Sequence, residues 1–165
     1  HAETGLLRSR IPAFGGAVLC IDFLPFGPFL CAGSVDKSTR VFHILTNEQL
    51  FSLAAHSLTI RSMSISADGV IATASDDKEI RLWDCRMPWG DDMGTQLAIC
   101  KGHTAPITCC TMTSSGTGLL SAAEDCRLLL WDVIHGSIMR EFVGHTGPVT
   151  KCFLLEDPDE PEDAP

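Results

Sequence analysis

Three histidines, His56, His103 and His145, each stand four residues before an apolar anchor: Ile60, Ile107 and Val149. Beyond each anchor, apolar residues return at the third and fifth positions, as Met63 and Ile65, Cys110 and Met112, and Cys152 and Leu154. Val18, Ile21 and Phe23 repeat the pattern with Phe14 in the histidine's place. A second anchor follows. Asp36, Asp77 and Asp125 lie 18, 17 and 18 residues after Val18, Ile60 and Ile107, and six residues after each comes an aromatic: Phe42, Trp83 and Trp131. From aromatic to next histidine-type position the distance is 14, 20 and 14 residues, so a 42-residue unit recurs with one insertion of about six. A unit this short cannot bury its own apolar face and must stack against its neighbours.

Within each unit, short β-rich runs alternate with turn signals. In the second, Thr59–Ser66 and Val70–Ser75 read as strands around Ala67-Asp68-Gly69, and Asp76-Asp77-Lys78 turns the chain into Glu79–Trp83. Leu97–Lys101 follows as the fourth strand. Four short strands per unit at this period describe one propeller blade. The expected class is therefore all-β: a propeller fragment of three four-stranded blades plus the first strand of a fourth.

Composition narrows the function. The net charge is −9, but six acids fall within Glu156–Pro165 with no base, leaving −3 on the body. A nearly neutral body does not suit phosphate binding, so sequence-specific nucleic-acid binding is not expected. Residues 156–165 read as a disordered acidic tail, lacking the apolar surface that would offset ordering. No run of 18 apolar residues exists, so no membrane span is expected. None of the eight cysteines lies in a CxxC or Cys/His pattern with zinc spacing, which predicts no metal. Most sit in apolar runs and read as buried, reduced thiols. Gly33–Thr39 lacks the second glycine of a phosphate loop and coincides with the repeated Asp turn, so no nucleotide cofactor is expected.

The segments Ala72–Asp84 and Ser121–Asp132 end in Leu-Trp-Asp, and Gly102-His103 and Gly144-His145 are GH dipeptides. Three units in register with these motifs resemble the WD-repeat family across residues 14 to 155. The resemblance implies a side-chain relay in each blade: a Trp indole donates to a Ser or Thr hydroxyl, the hydroxyl to a His ring, and the ring to an Asp in the tight turn. The third unit would carry His103, Ser121, Asp125 and Trp131. The second would carry His56, Thr73, Asp77 and Trp83. In the first, Phe14, Ala32, Asp36 and Phe42 stand there, so that blade would rest on apolar packing.

His103, Ser121 and Asp125 also spell a hydrolase triad. The trio recurs at the same spacing one unit earlier, with Thr73 for Ser, and neither hydroxyl lies on a G-x-S-x-G elbow. A structural relay explains the repetition; catalysis does not, and no catalytic residue is assigned. Propeller architecture instead favours a binding scaffold, with a propeller-type enzyme the weaker alternative. Trp89, within the insertion Cys85–Thr95, reads as a candidate partner anchor or as a side chain folded onto its blade. Arg61, Asp76 and Glu124 fall near the loops that face partners in this family, and are candidate contacts.

The order of units also resembles the WD repeat-containing protein 18 family, the WD-repeat subunit of the Rix-type complex. The shared features are a histidine-poor first unit, the segment Pro88–Gly94 ahead of Lys101-Gly102-His103, and Gly147–Leu155 before a polar tail. This implies protein partners in a multisubunit complex for large ribosomal subunit maturation and rRNA processing, in the nucleus or nucleolus. The alternative is a cytoplasmic adaptor or receptor in ubiquitin ligation or signalling. Residues 1–13 read as a remnant of a preceding segment, with blades at 14–55, 56–102 and 103–144 and a partial one at 145–155. The missing blades are expected upstream, since His1 is not a natural start and the acidic tail resembles a C-terminus.

Overall fold

The computed structural model describes residues 10–11, 14–86, 94–113 and 115–154. Twelve strands form three four-stranded antiparallel sheets in simple chain order. The first sheet holds β1 (Val18–Phe23), β2 (Phe29–Ser34), β3 (Thr39–His43) and β4 (Glu48–Leu53). The second holds β5 (Ile60–Ile65), β6 (Val70–Ser75), β7 (Glu79–Asp84) and β8 (Thr95–Lys101). The third holds β9 (Ile107–Met112), β10 (Gly118–Ala123), β11 (Leu128–Asp132) and β12 (Ser137–Phe142). Each is a meander of tight turns, the arrangement of a propeller blade. β8 begins at Thr95, two residues earlier than the sequence pattern predicts.

Successive residues of a strand point to opposite faces, and the middle sheet uses both. Ile71, Met63 and Trp83 pack on Cys31, Val41 and Leu53 of the first sheet. Val70, Ala72, Ala74, Ile80 and Leu82 pack on Leu119, Leu129 and Trp131 of the third. β6 and β10 are consequently buried at every position, whereas β12 is exposed throughout. The first strands lie side by side, β1 against β5 and β5 against β9. The last pair is tied by side chains, with the Ser62 and Ser64 hydroxyls accepting from the Cys110 and Met112 amides at 3.1 and 3.0 Å.

The fourth unit contributes Val149–Leu154. It lies beside β9 in the place of a next blade's first strand, without a ladder partner among the described residues. Val149 and Cys152 are buried with Cys109, Leu120 and Ala122. The outward faces of the end sheets carry exposed apolar side chains, including Ile21 and Phe23 at one end and Met139 and Val143 at the other. Most of the 1–13 segment, Trp89 and the 156–165 tail lie outside the described residues.

Candidate functional site

Each β6–β7-type turn meets the segment entering the first strand of its own sheet, at one end of the sheets. The main chain makes the same bond each time: the Val35, Asp76 and Glu124 amides donate to the Ala17, Thr59 and Pro106 carbonyls at 2.9 Å. The next residue is the repeated aspartate.

In the second blade, the Trp83 indole donates to the Thr73 hydroxyl at 2.9 Å. Thr73 lies 2.9 Å from His56 Nε2, and His56 Nδ1 lies 2.8 Å from Asp77. The third blade repeats this with Trp131 to Ser121 at 2.7 Å, Ser121 to His103 at 2.7 Å and His103 to Asp125 at 2.9 Å. One tautomer satisfies every atom. Each histidine carries its proton on Nδ1, donates it to the carboxylate, and accepts the hydroxyl proton at Nε2. The aspartates also accept main-chain amides, from Ser57 and Glu79 in one blade and from Thr104 and Arg127 in the other.

Burial lowers both histidines from their ordinary value and outweighs the aspartate partners that pull them up, so the rings are neutral near pH 7. Burial works to raise Asp125. Hydrogen bonds from the Thr104 amide and His103, with Arg127 beside it, hold it instead at about 2. Asp77 is lowered in the same way, against burial, chiefly by His56 and Ser57. Ser121 and Thr73 are fully enclosed, and each hydroxyl already serves an indole and an imidazole. Neither is open to a substrate carbonyl. The glycine of the GH pair has a spatial cause: a Cβ on Gly102 would stand 2.7 Å from Ile138 and 3.0 Å from Trp131.

The first blade replaces the relay with other contacts. The Phe14 and Phe42 rings meet edge to face at 5.8 Å, and the Arg40 guanidinium lies 4.5 Å over Phe14. Asp36 still accepts from the Gly15 amide at 2.8 Å and pairs with Arg40 at 3.0 Å. Apolar packing is therefore joined by an ion pair and a cation–π contact, beyond what the sequence suggested.

Three candidate contact residues converge. Arg61 on β5 bonds to Asp76 in its own blade and reaches Glu124 of the next at 3.3 Å. About two-fifths of the Arg61 and Glu124 side chains remain exposed. The cluster carries one net negative charge at the loop end, beside both relays. A feature the sequence reading missed lies beneath it. The residue after each repeated aspartate is left-handed: Lys37 at φ 71°, Lys78 at 71° and Cys126 at 65°. The aspartate stabilises it by accepting the amide two residues on. The signal was present as Asp at a fixed place before a strand, but no Gly or Asn marks it. No group of three or more metal-ligating side chains occurs among the described residues. No helix there is long and apolar enough to cross a membrane.

Blades stacked through repeated turns define a class, the WD-repeat propellers, and comparison with known proteins agrees. The family model "WD domain, G-beta repeat" matches residues 7–43, 47–84 and 94–132, and the chain belongs to this family. It is similar to mitochondrial division protein 1 of Eremothecium gossypii, at 25% identity over 74% of this chain and 18% of that protein. It is also similar to the mouse tRNA (34-2'-O)-methyltransferase regulator WDR6, at 36% identity over 58% of this chain and 8% of that protein. A solved structure described as that of U3-55K superposes with TM-score 0.76 and 19% identity, over 84% of this chain and 42% of that one. The chain thus spans a minor part of each of these proteins.

Proposed function

We propose that the chain is part of a non-catalytic scaffold that docks protein partners at the loop end. The observation that carries this is the Arg61, Asp76 and Glu124 cluster: charged, partly exposed and drawn from two blades, with both acids on turns that the relays brace. The Ser/His/Asp constellation, by contrast, is enclosed and duplicated, as a structural element is. On the sequence resemblance, the complex served is one for large ribosomal subunit maturation, placing the protein in the nucleus or nucleolus. We take 14–55, 56–102 and 103–144 as its blades and 145–155 as a partial one.

The test is affinity purification of the parent protein against variants Arg61→Glu and Glu124→Lys. Large-subunit assembly factors should co-purify with the parent and be lost from both variants at unchanged unfolding temperature. Retention by both variants would remove the loop end as the docking surface. Ubiquitin-ligase or signalling components in their place would support the adaptor alternative. Trp89→Ala should weaken binding with little loss of stability if Trp89 is an anchor.

A further inference from the structure

The Val149–Leu154 segment is held to the third sheet by few polar contacts, and sulfur makes half of them. The Val149 amide donates to the Ala123 carbonyl at 3.2 Å, and the Thr108 hydroxyl donates to the Val149 carbonyl at 2.5 Å. The other two are thiols: Cys109 Sγ reaches the Cys152 carbonyl at 3.7 Å, and Cys152 Sγ the Leu120 carbonyl at 3.9 Å. Both residues lie in one buried cluster with Leu120, Ala122 and Val149. The adjacent Cys109-Cys110 pair sits on a strand, so its side chains point to opposite faces. Cys110 turns toward the second sheet and Ser62, leaving Cys109 alone facing the segment.

We propose that Cys109 and Cys152 form a peroxide-responsive thiol pair, closing to a disulfide that pins the fourth unit's first segment to the third blade. The Cys109 thiolate attacks one oxygen of hydrogen peroxide, the O–O bond breaks, and the departing hydroxide takes a proton to leave as water. The Cys152 thiol then attacks the Cys109 sulfenic sulfur. An S–S bond forms as the S–O bond breaks, and the second hydroxide leaves with the Cys152 proton as water. Two thiols lose two electrons and one peroxide becomes two waters. The environments are divided suitably. The Cys152 thiol and main chain pull Cys109 below the ordinary thiol range against burial, with Lys151 adding to the effect. Cys152 is pushed up by Cys109 and by burial. Cys109 sits on strand β9 and Cys152 on the thinly held segment, so Cys152 is the partner free to move and resolve. Cys109 and Cys152 are 8% and 6% exposed, so a water-sized oxidant reaches them when the thinly bonded segment opens locally.

The experiment treats the full-length protein with hydrogen peroxide under native conditions, blocks free thiols with N-ethylmaleimide and digests with trypsin without reduction. Mass spectrometry should find the Gly102–Arg127 peptide joined to the peptide that begins at Cys152, with fragmentation placing the bridge at Cys109. The link should vanish on dithiothreitol and in Cys109→Ser, and persist in Cys110→Ser and Cys126→Ser. The oxidised parent should unfold at a higher temperature than the reduced one. If Cys109→Ser fails to fold, the fragmentation spectrum of the parent decides alone. No linked peptide, a bridge at Cys110 or Cys126, or a link formed only after unfolding would each overturn the proposal.

Discussion

Ser121 accepts the Trp131 indole proton and gives its own to His103, so the loss of one ring strands two buried groups. His103→Ala is expected to cost about 1–3 kcal/mol, since Ser121 and Asp125 lose partners where water does not reach. Urea unfolding of the parent protein checks this, and an unchanged midpoint would remove the relay from the stability account. The same residues set a pH dependence. Both relay histidines are depressed below 6.5 in the folded state, so their contribution is whole above that value and lost as pH falls through the lowered ones. Asp125 acts lower: its contribution is whole above 3.8 and lost as pH falls toward about 2. Stability should therefore decline from pH 7 to 5, and less steeply in a His56→Gln, His103→Gln double variant. An identical decline in both would show the histidines titrate alike folded and unfolded. Lys78, at φ 71°, gives the converse case. Lys78→Gly should be neutral or stabilise by up to about 1 kcal/mol, because glycine adopts that conformation without strain.

At the scale of the strand, close approach decides what a position tolerates. A Cβ on Gly33 in β2 would stand 2.7 Å from Cys20 Sγ and 2.9 Å from Ile60 of the neighbouring blade. Gly33→Ala should destabilise by roughly 1–3 kcal/mol through overpacking, measured as a fall in thermal midpoint. The strands of the second unit were legible because turn residues bound them: Ala67-Asp68-Gly69 separates β5 from β6, and Asp76-Asp77-Lys78 separates β6 from β7. The relay positions were legible because the same residue types return at the same offsets. What the sequence did not carry was contact between units. Arg61 meets Glu124 because β5 and β9 lie side by side, which no local pattern encodes. Cys109 and Cys152 read alike as small hydrophobes in apolar runs, and only the fold sets them on facing surfaces. The Phe14 and Arg40 stack was hidden for the same reason, since a missing histidine says nothing of what replaces it.

For the whole molecule, three sheets in an arc leave one apolar face uncovered at each end. Ile21 and Phe23 are 62% and 59% exposed on the first sheet, and Met139 and Val143 are 63% and 74% exposed at the third. Exposed patches with free sheet edges favour association. The isolated 165-residue chain should sediment as oligomers, and a compact monomer that unfolds cooperatively would show the faces need no cover. On the proposed function, the braced turns present one end of the molecule to a protein partner. Hydroxyl-radical footprinting of the full-length protein, free and in its purified complex, tests it most directly. Protection is expected at Leu58, Arg61, Pro106 and Glu124, with Leu45 and Ile134 at the opposite end unchanged. Protection confined to Leu45, Ile134 and the turns around Asp68 and Ser115, with the loop end still open, would put the docking surface at the opposite end and overturn the proposed function.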